Sequence, residues 1–491
     1  MKTLLASFAG AVLFTSALCA ADAPKKPNVL FIAIDDLRDW VGYLHHNEQT
    51  KTPHIDRLAK MGEAFTHSYC AAPVCNPSRA ALMSGRRPFT TGVYENNNDW
   101  RTVIPEEQTL THAFRQGGYY VCGAGKIYHE AYPRRTDWDD YLKNEGGGKK
   151  GSQKLSPKAK DDGVGGIKFA PLDCEDSDLP DWSITNYGIE ELAKPHDKPF
   201  FLAVGLHKPH MPWNVPQKYY DMFPLESIQL PPYLINDLDD VPPAGVKMAR
   251  PEGDHANIVK ANRWKDAIQG YLAAIAYTDM NIGRLLEAFE KSAYKDNTIV
   301  VFWCDHGWHL GEKDHWRKFA LWEQATRSPL IISVPGMTKP GSFCERTVDF
   351  MSLFPTLCDL CSLPIPSHVQ GKSITSLLRD PKAEWSQPAI TTYKFSNHTV
   401  RTEGWRLIRY ANGDQELYNE DADPNEWKNL AKDADASATA KINELAQYFP
   451  KDNHPDIGGA AGKGAEDFGD GKKAEKKRLK QAAKNGTPDA K

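Results

Sequence analysis

Beyond its first twenty positions this chain has no apolar run approaching the roughly 20 residues of a membrane-spanning helix, which argues against an integral membrane protein. It has no basic excess: 60 Lys and Arg face 64 Asp and Glu, for a formal net charge of −4. A general binder of nucleic acid would carry a basic footprint, so no nucleic-acid partner is expected, and any anion handled here must meet a local cluster of cations. Cysteine is sparse, nine in 491 residues, too few for a disulfide scaffold. No internal repeat is visible. The 41% apolar and 25% charged residues sit near globular averages and exclude wholesale disorder, a coiled coil or a collagen-like chain.

Met1 to Ala23 reads as an export signal, with Lys2, an apolar stretch from Leu4 to Leu18, and small residues around Ala20 and Ala21. Leu18 before Cys19 fits a lipidation box poorly, so plain export is expected, to a periplasmic, secreted or lysosome-like compartment. Eight cysteines then remain. Cys358 and Cys361 form a C-x-x-C in a stretch that reads as helical from Val348 to Leu363; lacking a zinc partner pair, they read as core.

Strands and helices alternate along most of the chain. Asn28 to Ile34, Phe200 to Gly205 and Thr298 to Cys304 are apolar runs of strand length, as in strands buried on both faces. Between the last two, Ile268, Leu272, Ile275, Ile282, Leu286 and Phe289 recur at helical spacing, interrupted by Asp279. The pattern predicts an α/β fold with a large, mostly parallel sheet flanked by helices, whose ligands sit at the C-terminal strand ends. The Pro- and Asp-rich stretch Pro231 to His255 reads as a long loop. A main domain is expected over residues 24–385 and a small α+β subdomain over 386–457. A Gly-, Ala- and Lys-rich tail is expected over 458–491.

Asp35 and Asp36 follow the first apolar strand; Asp305 and His306 follow the late one. In a parallel sheet both pairs emerge at one edge, and adjacent carboxylates are commonly reconciled by a hard divalent cation. On the aspartates alone, a turn or helix cap is an equal alternative. Cys75-Asn76-Pro77-Ser78-Arg79, followed by a short apolar helix and Gly85-Arg86, decides between them. It resembles the formylglycine signature of type I sulfatases, and the resemblance runs from about residue 27 to about residue 430, with further motifs in family order.

The resemblance implies an alkaline-phosphatase-like fold and conversion of Cys75 by a separate maturation enzyme to formylglycine, whose hydrate attacks the sulfur of a sulfate ester. It implies that Asp35, Asp36, Cys75, Asp305 and His306 hold one divalent cation, usually calcium. His306 stands where most members have Asn, which slightly favours a softer ion. Arg79 and Lys126 match the cations that hold the formylglycine. His129 of Gly125-Lys126-Ile127-Tyr128-His129 matches the base that lets sulfate leave. His210 in FFLAVGLHKPHMPW is the implied general acid, and Lys318 the late sulfate-binding lysine, with Arg317 second. His207 and Lys208 are expected to shape the pocket, and His309 and His315 to be solvated loop histidines.

Asp36-Leu37-Arg38, the HKPH string and Asp305-His306-Gly307-Trp308 are similar to the iduronate-2-sulfatase-like branch. The implied substrate is a sulfated carbohydrate, with a 2-O-sulfated uronate first and another sulfated polysaccharide second. Phe89 to Arg101 reads as the sugar-facing rim, in which Arg101 meets either a uronate carboxylate or a structural partner. Arg86, Arg87 and Arg101 are counted with the cations around the pocket. A phosphate or phosphonate ester hydrolase of the same fold, and a non-catalytic glycan binder with unmodified Cys75, are the rival readings.

Overall fold

The structure, a computed structural model, describes residues 26–143 and 153–458. The expected export signal, and the expected tail apart from Gly458, lie outside the described residues. No described helix is long and apolar enough to cross a membrane.

Eight strands form the central sheet in the order Ser342–Asp349, Glu63–Tyr69, Leu330–Ser333, Thr298–Cys304, Asn28–Asp35, Phe200–Pro209, Tyr120–Gly125 and Asp140–Tyr141. Leu330–Ser333 runs antiparallel to both neighbours; the other pairings are parallel. The first strand is buried at every position because helices cover both faces. Leu30, Ile32 and Ile34 pack with Ile268, Leu272 and Ile275 of the long helix Trp264–Lys291. Val29, Phe31 and Ala33 pack on the other face with Phe114, Leu353 and Leu357.

Register places the chemistry. Ile34 pairs with Cys304, so Asp35 and Asp305 are the next residues out of two adjacent parallel strands. Gly125 pairs with Gly205, and the Lys126 amide donates to the Gly205 carbonyl at 2.8 Å. A Cβ at Gly205 would lie 2.5 Å from the Lys126 main chain, so glycine there permits the close approach.

Two expectations are corrected. The stretch from Val348 is not one helix: Val348 and Asp349 complete a sheet strand paired with Ser68 and Tyr69, and the helix begins at Leu353, with Pro355 tolerated in its first turn. Cys358 and Cys361 are core residues as expected, and the eight described cysteines are unpaired thiols. Pro231 to His255 is not all loop. Pro243 starts a helix over Pro243–Ala249, and Asp254–Lys260 is another.

Four antiparallel strands, Ala389–Thr392, His398–Thr402, Trp405–Arg409 and Gln415–Asn419, form a second sheet with the helix Ala436–Ala446. Buried Arg406 ties this sheet to the short helix Glu323–Thr326, which precedes the main-sheet strand Leu330–Ser333, through an ion pair with Glu323, and also pairs with Glu420 and Glu426.

Asp279, the acid within the apolar stripe, receives the amides of His54 (3.1 Å) and Ile55 (2.8 Å) at the start of the helix Pro53–Met61. Burial raises its pKa to about 7 from an ordinary 3.8. Between those values the folded chain binds more protons than the unfolded one, so stability falls as pH rises. Asp279→Asn abolishes that fall. Relative to wild type, the variant is expected to gain about 2 to 4 kcal/mol from pH 4 to pH 8. Thermal unfolding across pH measures this, and a pH-independent difference between the two proteins would contradict it.

Candidate active site and metal centre

Cys75 is the first residue of the buried helix Cys75–Ser84, so the signature lies within the helix and Pro77 is its third residue. Proline is tolerated there because first-turn amides have no helical acceptor anyway. The helix start is keyed to the late strand: Ser78 Oγ donates to the Asp305 carbonyl at 2.5 Å. Around Cys75 Sγ stand Lys318 Nζ at 3.0 Å, His306 Nε2 at 3.3 Å, Asp35 Oδ1 at 3.5 Å and Asp36 Oδ1 at 3.9 Å.

The cations hold the carboxylates. Arg79, fully buried, donates from Nε to Asp305 Oδ2 at 2.8 Å and from Nη2 to the Ile34 carbonyl at 3.0 Å, and it also reaches the carbonyls of Lys126 and Ile127. Lys126 Nζ lies 2.5 Å from Asp35 Oδ2, and Lys318 Nζ lies 2.8 Å from Asp36 Oδ1. Burial pushes Asp35 up, but Lys126, His210, Arg79 and Lys318 together hold it well below the usual carboxylate range. Burial and Asp35 push the Cys75 thiol well above its ordinary range, so these side chains alone do not favour a thiolate nucleophile.

The donors fit a divalent cation. Single ligand atoms from Asp35, Cys75, Asp305 and His306, and from Asp35, Asp36, Cys75 and His210, lie within 4.8 Å of one another. Asp36 takes a positive φ of 60° and carries a buried Oδ2 with no hydrogen-bond partner. His306 Nδ1 faces the Gly307 carbonyl at 3.0 Å; a carbonyl only accepts, so Nδ1 carries the hydrogen and Nε2 presents its lone pair to the cluster. Burial keeps that ring neutral by lowering its pKa. His210 as a member of the donor set was not foreseen; its motif signalled only an acid.

The HKPH segment extends the strand Phe200–Pro209. Asp181, also unforeseen, receives the amides of His207 (2.8 Å) and Lys208 (2.9 Å) from the first turn of the helix Pro180–Ala193. Its only signal was a Pro-Asp pair opening a helix. Burial brings Lys208 down to about 8, and its ammonium donates to the His210 and Pro212 carbonyls. His210 Nδ1 lies 2.6 Å from the Met211 carbonyl, leaving Nε2 3.8 Å from Asp36 Oδ2. His129 is buried in the turn after Lys126, and the adjacent Glu130 pairs with His207 at 2.9 Å.

Several of the expected cations have partners of their own. Arg86 donates to the Val103 carbonyl and Gln108, Arg87 pairs with Asp349, and Arg101 pairs with Asp99, so each has a structural partner. Arg317 pairs with Asp254 at 2.7 Å, leaving Lys318 as the loop's cation beside Cys75. His309 and His315 are buried rather than solvated: His315 lies against the Ala249 carbonyl, and His309 packs edge-on against His315 and Trp322.

This sheet with its strand-end cluster belongs to the alkaline-phosphatase-like class of hydrolase folds. Solved structures sharing it include a 2-O GAG sulfatase (21% identity, TM-score 0.67, 95% of each chain). A phosphonate monoester hydrolase of Agrobacterium radiobacter shares it too (22%, TM-score 0.74, 86% of this chain and 95% of that one). The sulfatase profile matches residues 27–363, and the profile of the N-sulphoglucosamine sulphohydrolase C-terminal region matches 311–449. A sulfatase of Formosa agariphila is 38% identical over 87% of both chains. Mouse iduronate 2-sulfatase is 31% identical over 74% of this chain and 73% of its own. The chain belongs to the sulfatase family, hydrolases of sulfate esters.

The donor geometry generates a test. Protein stripped by a chelator and returned to calcium at a hundredfold excess over its Kd is expected to gain about 2.7 kcal/mol, read as a rise in Tm. Asp36→Ala and Asp305→Ala are expected to abolish the response. A Tm indifferent to calcium and to other divalent ions in the wild type would remove the cluster as a metal site.

Proposed function

We propose that this protein is an exported sulfatase that removes sulfate from a sulfated sugar, with a 2-O-sulfated uronate as the first candidate substrate. The observation that carries the reaction is Cys75 as the first residue of a buried helix, ringed by Lys318, His306, Asp35 and Asp36. Similarity to mouse and human iduronate 2-sulfatases supports the uronate. The 28% identical ulvan-active sulfatase of Formosa agariphila supports a different sulfated polysaccharide as the second candidate.

Converted to formylglycine, Cys75 supplies a hydrated aldehyde with one hydroxyl to attack sulfur and another to expel sulfate. Cys75 is completely buried in the folded chain, so its maturation enzyme must act before folding closes the site. Asp35, Asp36, Asp305 and His306, with the converted Cys75 side chain, would hold a divalent cation, calcium first, and such an ion would supply positive charge to orient the sulfate. Lys318 places an ammonium where sulfate oxygens gather, and Lys126 neutralises Asp35. Arg79 locks the two strand ends so that these groups keep their spacing. His210 Nδ1–H is held by the Met211 carbonyl, so when the ring is an imidazolium its second proton sits on Nε2, and that proton passes to the departing sugar oxygen and leaves the ring neutral. His129 accepts the proton of the second hydroxyl when sulfate leaves.

Mass spectrometry of the peptide containing Cys75 from the native host is expected to find the aldehyde in place of the thiol. Cys75→Ala is expected to keep the fold and lose sulfatase activity by at least about a thousandfold. Aryl sulfate is expected to be cleaved in preference to aryl phosphate. An unmodified thiol, a fully active Cys75→Ala, or dominant phosphate turnover would each overturn the reading.

A further inference from the structure

Lys318 sits in a backbone that does not hold itself. Lys313, Asp314, Arg317 and Phe319 all have positive φ, at 54°, 51°, 78° and 61°, a conformation that L-residues keep only where surroundings over-determine it. Outer ties are visible: Glu312 with Arg38 (2.6 Å), Lys313 with Asp237 (2.8 Å), Asp314 with Tyr233 (2.7 Å) and His255 (3.2 Å), and Arg317 with Asp254 (2.7 Å). These grip the hairpin and its turn. His315 grips the lysine's own main chain: its Nε2 is 2.5 Å from the Lys318 carbonyl, and its Nδ1 is 2.7 Å from the carbonyl of Ala249 in the covering helix.

Both partners are carbonyls, which only accept. A neutral imidazole has one N–H and satisfies one of them; an imidazolium has two and satisfies both. We propose that His315 is a positioning residue for Lys318, bracing it fully as an imidazolium and through a single hydrogen bond when neutral. The proposal rests on Lys318 being the sulfate-side cation.

The charged groups that act on the ring are Asp254 and Arg317, which pair with each other at 2.7 Å. His309 lies edge-on with ring centroids 4.9 Å apart and is kept neutral by burial. Burial pushes the His315 imidazolium below its ordinary 6.5, while the two carbonyls and Asp254 push it up and Arg317 pushes it down; the net direction is down. The complete brace therefore belongs to acid conditions, and Lys318 loosens as pH rises.

The test compares pH profiles of kcat/KM on an aryl sulfate for mature full-length wild type, His315→Gln and Lys318→Met. His315→Gln is expected to lose about tenfold in acid, with the deficit shrinking as pH rises, because the wild type then loses one brace itself. Taking the ratio of the two profiles cancels the titration of His129 and His210. No deficit, or a deficit constant across pH, overturns the proposal. Wild-type crystal structures in acid and in alkali test it without a variant: one of the two His315–carbonyl contacts must lengthen in alkali, and two unchanged contacts overturn it. An undiminished Lys318→Met would instead sink the assignment of Lys318 to the sulfate, leaving the crystallographic answer on the brace intact.

Discussion

Three carboxylates meet at one sheet edge with almost no exposure to water: Asp35, Asp36 and Asp305. At about 4 Å and an effective dielectric of about 20, each like-charged pair costs on the order of 4 kcal/mol. The site is organised around that repulsion. Arg79, Lys126 and Lys318 each take one carboxylate, and the remaining Asp36 oxygen is left without a hydrogen bond among side chains chemically suited to a divalent cation. The same pairs set the spacing of the cations around Cys75, so acid burial and the placement of positive charge are one arrangement.

Holding three cations in place requires more of the fold than the sheet. Arg79 comes from the helix that begins at Cys75, Lys126 follows a strand that packs against Gly205, and Lys318 follows a hairpin gripped from outside. That grip reaches into the second sheet: Lys313 donates to the Glu426 carbonyl, Trp322 donates to Glu416 at 2.8 Å, and Arg406 binds Glu323. The smaller subdomain thus braces the loop that carries Lys318, and loss of its packing would reach the pocket through that loop.

Much of the site was legible because it is local. A strand followed at once by Asp35-Asp36, another by Asp305-His306, and a five-residue signature at Cys75 can be read without knowing how the chain folds back. The pieces that escaped reading depend on partners far away in sequence. Arg86, Arg87 and Arg101 resemble pocket cations until Gln108, Asp349 and Asp99 are found beside them. His315 and His309 resemble solvated loop residues until Ala249 is found against the first and Trp322 against the second. Asp181 gave no signal of its contact with the amides of His207 and Lys208, because a carboxylate that opens a helix is usually a cap.

The sequence by itself determined the family, the strand-end acids and the Cys75 signature, since these follow from residue type at short, fixed spacing. Only the tertiary structure decided which cations face the carboxylates, which nitrogen of His306 and His210 is available, and what holds Lys318. Those outcomes turn on hydrogen-bond partners brought together across as many as 282 positions, the separation of Asp36 and Lys318. Burial then sets the charge state of each group, and burial is a property of the packed chain, not of any segment of it.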